Sequence, residues 1–344
     1  MMGALTAADI KTNDVLLFTG HIVLWTVWTL LIRFSKGDND QYPYTFEAVV
    51  LLMEFTKLGM ALGYHHCMVA PLSIAEIKRI LAQWRVGVYF AVPAAIYGVY
   101  NGLFYLNLTF FDPISYRVLI NMRILWSGVL FQLFFQKRLG MQRWFALLLL
   151  LLGCAVNQYN PETGVVVKAF IYLLSMVLQS FLSSLGGVYN EFLLKKDVDI
   201  GMNTKNIYMY SFSMVLYLGW LVAVRPDTLS SVDGFFSGFT PVVYALPLVG
   251  ALCGFTTAFF LRHLNIILKE YAHSGELALT AVLSVYLFDT PLTWQVLLSI
   301  LLTSISVYLY NNAPTMESTA VKANGGDAAH DDEESADVET ATPK

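Results

Sequence analysis

Charge is scarce in this chain. Only 13% of its 344 residues are Asp, Glu, Lys or Arg, whereas 56% are hydrophobic and 14% aromatic. Soluble domains carry about 25% charged residues, so a water-soluble fold is excluded. Cysteine is scarcer still: Cys67, Cys154 and Cys253 lie far apart, which leaves neither a disulfide framework nor metal-ligand spacing. His65-His66-Cys67 has the composition of a metal cluster but no second ligand pair at zinc spacing, and is read as membrane-edge sequence. No glycine-rich phosphate loop or dinucleotide fingerprint occurs, so neither ATP-driven pumping nor a bound cofactor is expected. The net charge of −4 offers no basic face for nucleic acid. No nucleophile or metal constellation is apparent, and an enzyme is not expected. No small-residue cleavage pattern follows the first apolar run, so no cleaved leader is expected.

What is present is a series of long apolar runs. Measured against the roughly twenty residues that cross a bilayer core, they fall near 15–34, 44–66, 85–108, 114–135, 143–158, 166–194, 206–224, 240–262, 273–288 and 292–310. The expected fold class is an all-α membrane protein with ten transmembrane helices. The short loops set its orientation, because Lys and Arg accumulate on the cytosolic side. The even-numbered loops and their flanks carry eleven such residues (Lys78, Arg79, Arg85, Lys137, Arg138, Arg143, Lys195, Lys196, Lys205, Arg262 and Lys269), the odd-numbered ones four (Arg33, Lys36, Lys168 and Arg225). Both termini are therefore expected in the cytosol, with residues 1–14 as an N-terminal segment, 15–310 as the ten-helix domain and 311–344 as a tail. The tail carries Asp327, Asp331, Asp332, Glu333, Glu334, Asp337 and Glu339 without apolar periodicity, and is predicted to be disordered. In the second loop, Ser73-Ile74-Ala75-Glu76 has the capping-box pattern and predicts a short interfacial helix over 74–83.

Ten spans divide into two sets of five. An odd number per set forces the halves into opposite orientations, so two inverted five-helix repeats are expected. Arg123 in the fourth span and Lys269 at the start of the ninth stand in corresponding places.

Ionisable residues within spans cost a few kcal/mol each and so mark candidate sites. They are Glu47, Glu54 and Lys57 in the second span, Arg117 and Arg123 in the fourth, Glu191 in the sixth, and Lys269 and Glu276 around the ninth. Glu54 and Lys57 are three apart on one helix face and form either a structural pair or a gate. Arg123 keeps its proton when buried, so it needs an anion: a phosphate, or an acid such as Glu191. It follows Tyr116 by seven residues, two helical turns on the same face. Arg117 is expected to snorkel to the interface. Uncharged polar residues cluster as well: Tyr97, Tyr100 and Asn101; Ser183, Ser184, Tyr189 and Asn190; Asn206 and Tyr210. Buried amides and hydroxyls need partners, and aromatic faces beside amides suit a nucleobase and ribose. The small-xxx-small pairs Gly98/Gly102 and Gly250/Gly254, with Gly186-Gly187, predict close helix contacts. Pro93 and Pro247 are candidate kinks. The sequon Asn107-Leu108-Thr109 lies too near the third span to be modified.

Two segments carry a resemblance. Tyr97-Gly98-Val99-Tyr100-Asn101-Gly102, together with the stretch Asp112-Pro113-Ile114-Ser115-Tyr116-Arg117-Val118-Leu119-Ile120-Asn121-Met122-Arg123, is one; Gly187-Val188-Tyr189-Asn190-Glu191-Phe192-Leu193-Leu194-Lys195 is the other. They resemble the nucleotide-sugar transporters of the drug/metabolite transporter superfamily, in the branch that carries CMP-sialic acid and UDP-sugars. Supporting matches are Glu54-Phe55-Thr56-Lys57, Asn206-Ile207-Tyr208-Met209-Tyr210 and Asn265-Ile266-Ile267-Leu268-Lys269. Arg123 stands where this family usually has Lys, and Gly102 where a second Asn is common.

The resemblance implies a Golgi or endoplasmic-reticulum membrane and exchange of a cytosolic nucleotide sugar for the lumenal nucleoside monophosphate. It places Asn101, Tyr116, Arg123, Ser183, Ser184, Gly187, Glu191, Asn206, Tyr210 and Lys269 at the nucleotide site, with Tyr189 in the Gly-Val-Tyr-x-Glu segment. Arg123 and Lys269 would meet phosphate, the tyrosines base or ribose, and Asn101, Ser183 and Asn206 polar edges, while Glu191 would hold a cation between loads. The Gly-x-Leu-Asn-Lys pattern of GDP-mannose carriers is absent, which favours a pyrimidine nucleotide. The terminal Lys344 stands alone rather than in a dilysine signal, which favours the Golgi. Alternatives on the same scaffold are a non-transporting member that scaffolds other transporters or glycosyltransferases in the Golgi, and a proton-coupled drug or metabolite exporter; a homodimer or a glycosyltransferase association is the expected protein partnership.

Overall fold

The computed structural model describes residues 12–36, 42–111, 116, 119–158, 170–196, 200–224, 226–229, 231–288 and 293–314. The expectations for Arg117, for the segment after residue 314 and for the first eleven residues lie outside these. The described residues are helical throughout their ordered elements: α1 (Thr12–Phe34), α2 (Phe46–Tyr64), α3 (Ile74–Ala82), α4 (Ala91–Phe110), α5 (Arg123–Phe135), α6 (Met141–Gln158), α7 (Phe170–Lys195), α8 (Met202–Val224), α9 (Pro241–His263), α10 (Ile266–Phe288) and α11 (Trp294–Asn311). Among the described residues, six helices are long and apolar enough to cross a membrane: Asp14–Phe34, Trp84–Phe104, Ile171–Lys195, Met202–Ala223, Pro241–His263 and Trp294–Asn311. Arg123–Phe135 and Met141–Val156 are apolar but shorter.

Helix packing follows a repeated pattern. α1 packs on α9 and α10, and α7 packs on α4 and α5; α2 meets α9, and α8 meets α4. α6 lies along α11, α2 along α8, and α5 against α10. Numbered as spans, with α3 set aside, these major pairings map onto one another when each span is exchanged with the span five places on.

Local chemistry sets the ends. Ser73 Oγ accepts the Glu76 N–H at 3.2 Å, which starts α3 as predicted, but only half of the capping box forms. The Glu76 carboxylate instead lies 2.9 Å from His65 Nε2 and 2.9 Å from Arg79. His65, fully buried, opens a π-turn (His65–Val69) that closes α2, so it clasps α3 to the end of α2 rather than marking a membrane edge. Pro93 lacks the N–H that would bond back to Tyr89, and the chain there passes through a 3₁₀ turn (Val88–Phe90) before α4. Pro247 sits inside a continuous α9. At the C-terminus of α7 the orphan carbonyls are taken by cations: Lys205 Nζ donates to Leu193 O, Leu194 O and Lys196 O at 3.2, 3.3 and 2.8 Å, and Arg262 to Leu194 O. Two of the basic loop residues that signal orientation therefore also cap a helix.

The chain is not helical immediately before α5. Asn121-Met122 form a turn before α5, with Met122 N–H to Leu119 O (3.1 Å) and Ile124 N–H to Asn121 O (2.9 Å) in the tighter i to i−3 spacing. Tyr116 and Arg123 are thus separated by a break, not by two regular turns of one face, and each is fixed independently by α7.

The glycine pairs divide. A Cβ on Gly250 would meet Met53 Sδ at 2.5 Å and Trp28 Nε1 at 2.8 Å, and one on Gly254 would meet Lys57 Cδ at 2.7 Å, so α9 approaches α1 and α2 closely, as predicted. Gly98 has nothing within 4 Å of that position, because it borders a cavity rather than a helix. Gly250→Leu is accordingly expected to cost about 1–3 kcal/mol through overpacking, while Gly98→Ala leaves stability within about 0.5 kcal/mol. Thermal midpoints of the two purified variants check the contrast.

Candidate functional site

The centre of the molecule lies where α5, α7 and α10 meet. The start of α10 is built with care: Asn265 Oδ1 accepts the Leu268 N–H at 2.9 Å, and Glu191 Oε2 of α7 accepts the Ile266 N–H at 2.7 Å. Both satisfy N-terminal donors that the helix itself leaves orphaned. The other Glu191 oxygen, Oε1, takes Lys195 Nζ at 2.7 Å, and the Glu191 side chain is fully buried. Glu191 thus holds Lys195, its own neighbour one turn on, and the α10 N-terminus. The acid beside Arg123 is a different one.

That acid is Glu270. Arg123 Nε lies 3.2 Å from Glu270 Oε2, with the arginine side chain 18% and the carboxylate 4% exposed. Ser184 Oγ donates to the Arg123 carbonyl at 2.6 Å and receives a hydrogen bond from Ser127 Oγ at 3.1 Å, which fixes the first residue of α5 against α7. Lys269, next to Glu270, extends along Gly187: a Cβ at that glycine would lie 3.9 Å from Lys269 Nζ and 2.6 Å from Ile266 Cδ1. Gly187 is therefore where α7 thins to admit the lysine. The Lys269 side chain is half-buried and makes no hydrogen bond or ion pair with the described residues, although the Glu270 and Glu191 carboxylates are near enough for their charges to be felt there. Ser183, Gly187 and Glu191 recur every four residues, so they share one stripe of α7 turned toward α10.

Tyr116 is held apart from the charges by a neutral network. Gln179 Nε2 donates to Tyr116 Oη at 2.9 Å, Asn107 Nδ2 donates to Gln179 Oε1 at 2.7 Å, and Ser175 Oγ donates to Asn107 Oδ1 at 2.8 Å. Asn107 and Gln179 are fully buried. The sequon asparagine is thus spent on packing α4 against α7, in keeping with the expectation that it is not modified. Tyr116 also meets the Phe104 ring edge-on at 5.4 Å.

Beside this centre is a cavity of about 340 Å³ between α4 and α8, bordered by Glu54, Tyr97, Gly98, Asn101, Tyr217 and Trp220 among others. Tyr97 joins cavity and centre: its ring lies 3.1 Å from where a Gly186 Cβ would stand, and it is close enough to Arg123 and Glu270 to feel both charges. On the far side of the cavity, Lys57 Nζ donates to Glu54 Oε1 at 2.5 Å and stands 5.6 Å from the Tyr210 ring centre. Tyr210 Oη reaches Gly254 O at 3.5 Å. Asn206, one turn earlier on α8, is 1% exposed with both amide atoms unpartnered. Asn190 Oδ1 is likewise unpartnered.

The predicted residues therefore fall into two groups. Arg123, Ser184, Gly187, Glu191 and Lys269 converge at α5, α7 and α10, with Ser183 on the same stripe. Glu54, Lys57 and Tyr210 converge at α2, α8 and α9, and Asn101 lies on the cavity between. Tyr189 packs edge-on to Phe134 at 6.1 Å, away from either group's hydrogen bonds. Glu276 is occupied by Thr29 Oγ1 and His273 Nδ1, each at 2.8 Å, which ties α10 to α1. The reading from sequence missed Glu270 and Gln179. A glutamine in the middle of an apolar run was a signal for Gln179; for Glu270 the signal was an acid adjoining Lys269.

The chemistry of such a centre suits a phosphate: a guanidinium with one loosely placed acid, an ammonium without a side-chain hydrogen bond to the described residues, and tyrosines and amides beside them. Comparison with known proteins agrees in kind. The family model described as nucleotide-sugar transporter matches residues 9–311. The UDP-galactose transporter senju of Drosophila melanogaster is 32% identical, over 87% of this chain and 86% of its own length. CMP-sialic acid transporter 1 of Oryza sativa subsp. japonica is 27% identical, over 84% and 91% respectively. A solved crystal structure at 13% identity superposes with a TM-score of 0.66 over 87% of this chain and 96% of its own, which shows a shared fold. With its apolar helices, this multi-pass membrane protein belongs to the nucleotide-sugar transporter family.

Proposed function

We propose that the protein is an antiporter that carries a pyrimidine nucleotide sugar, UDP- or CMP-linked, from the cytosol into the Golgi lumen in exchange for the nucleoside monophosphate. The observation that carries this reading is the pair Arg123 and Lys269, two cations from α5 and α10 at one centre, of which the lysine makes no side-chain hydrogen bond or ion pair with the described residues. A cation inside a membrane protein without a partner is costly unless a ligand supplies the anion. The relatives are named for UDP-galactose and CMP-sialic acid, both pyrimidine nucleotide sugars.

The two halves, α1 to α6 without α3 and α7 to α11, form inverted repeats in this reading, as the reciprocal packing of α1 with α9 and α10 and of α7 with α4 and α5 supports. Arg123 and Lys269 then lie at equivalent places on either side of the pseudo-two-fold axis. Ten spans put both termini in the cytosol, consistent with the basic even-numbered loops. The nucleotide is common to cargo and product, so one site serves both directions, and an empty site with an uncompensated ammonium reorients slowly. Glu54 and Lys57 hold the α2 edge of the cavity and are the candidate gate.

Proteoliposomes test the reading. Preloading with UMP or CMP is expected to stimulate uptake of a labelled UDP- or CMP-sugar several-fold over empty vesicles, with little stimulation by GMP. Absence of trans-stimulated uptake for every nucleotide sugar tried overturns it.

A further inference from the structure

Glu270 stands out among the acids at the centre of the molecule. Glu191 accepts hydrogen bonds on both oxygens, and Glu276 has Thr29 Oγ1 and His273 Nδ1 within 2.8 Å of its two oxygens. Glu270 lies 3.2 Å from Arg123 Nε, yet neither Arg123 Nε nor Glu270 Oε2 makes an aligned hydrogen bond. A carboxylate only 4% exposed, whose Oε2 is held by charge and not by an aligned donor, is in an expensive position. It is also replaceable, because a better-aligned anion at Arg123 gains what Glu270 does not. The position near the N-terminus of α10 favours a negative charge there even when Arg123 is engaged elsewhere. Lys269, one residue earlier, adds the second cation that an incoming phosphate would meet; Glu270 acts on it through charge alone, with no ion pair formed.

We propose that Glu270 is an internal competitor for the ligand's phosphate: it occupies Arg123 when the site is empty and drives the phosphate off when the site must unload. The proposal rests on the nucleotide site proposed above and adds to it a residue that sets how tightly the anion is held. A centre with two cations and no competing acid would bind the nucleotide firmly and release it slowly. With Glu270 in place, part of the attraction of Arg123 is already spent, so affinity is lower and turnover faster. Glu270 is thus a positioning residue that acts through Arg123.

The test uses the full-length protein in detergent and in proteoliposomes, with UMP, CMP and uridine as probes. Glu270→Gln keeps the shape and removes the charge. It is expected to bind UMP or CMP on the order of tenfold more tightly, the worth of one close charge pair, with uridine binding unchanged because uridine has no phosphate. Exchange by this variant is expected to show both a lower KM and a lower maximal rate. Glu270→Asp, which retracts the carboxylate by one methylene, is expected to move the same way by less, and serves if the first variant does not fold. Unchanged or weaker UMP and CMP binding in the variants, with only a lowered thermal midpoint, overturns the proposal and leaves Glu270 a structural residue. If wild-type protein binds neither UMP nor CMP, the nucleotide-site reading itself falls, and this proposal with it.

Discussion

Lys269→Met is expected to leave the unliganded protein as stable as the wild type and to reduce nucleotide affinity roughly 30- to 150-fold, as loss of one charge-assisted hydrogen bond of about 2–3 kcal/mol requires. The separation of the two effects is what makes the result informative. Most buried charges cannot be removed cleanly, because their partner is left behind without compensation. Arg123 illustrates this: deleting it strands Glu270, so Arg123→Ala mixes lost binding with lost stability. Lys269 makes no side-chain hydrogen bond or ion pair with the described residues, so its removal strands none of them, and Gly187 already gives its stem room. Methionine fills the same volume without the charge. Thermal midpoints with and without UMP measure both quantities on one sample. A marked fall in the unliganded midpoint would mean that the lysine has a structural partner after all.

Glu191→Ala is expected to do the reverse, destabilising the fold by about 3–5 kcal/mol, the cost of breaking a buried ion pair by removing one member. Lys195 would lose the acceptor of a 2.7 Å bond, and the Ile266 N–H would lose the cap that starts α10. Glu191→Gln retains an oxygen for Ile266 but turns its NH2 toward Lys195, losing that bond and the charge, so about 1–3 kcal/mol is expected. The graded loss, read from thermal midpoints, distinguishes a clasp from a ligand group. A residue that bound substrate directly would instead lower affinity in both variants at constant stability. Because the clasp fixes the first turn of α10, which carries Lys269 and Glu270, weaker transport is expected to accompany the loss of stability.

The fold was legible in the sequence where burial in lipid demands uninterrupted apolar runs, and the helix limits fall close to those runs for α1, α6, α9 and α11. It was less legible where a helix changes character without losing hydrophobicity. The turn at Asn121-Met122 and the 3₁₀ passage at Val88–Phe90 leave the apolar run unbroken, and only hydrogen-bond spacing reveals them. Arg123 and Lys269 could be picked out because a cation in an apolar run is expensive and so conspicuous. Glu270 escaped notice because the ninth span was drawn from residue 273, which put this acid in a loop; α10 in fact begins at Ile266. The roles of Gln179 and Asn107 were out of reach for another reason: an amide's partner is decided by helix rotation and depth, and neither is written in periodicity. His65 was misread for the same cause, its partner Glu76 lying across a chain reversal.

The most direct test of a phosphate site built on Arg123 and Lys269 compares UMP, CMP, GMP and AMP with uridine and cytidine in their effect on the thermal midpoint of the purified wild-type protein, repeated on Lys269→Met. A site of this kind predicts a concentration-dependent rise with UMP or CMP, a much smaller one with the corresponding nucleosides, and loss of the difference in the variant. Equal shifts by nucleotide and nucleoside, or a full UMP or CMP response in Lys269→Met, would contradict it.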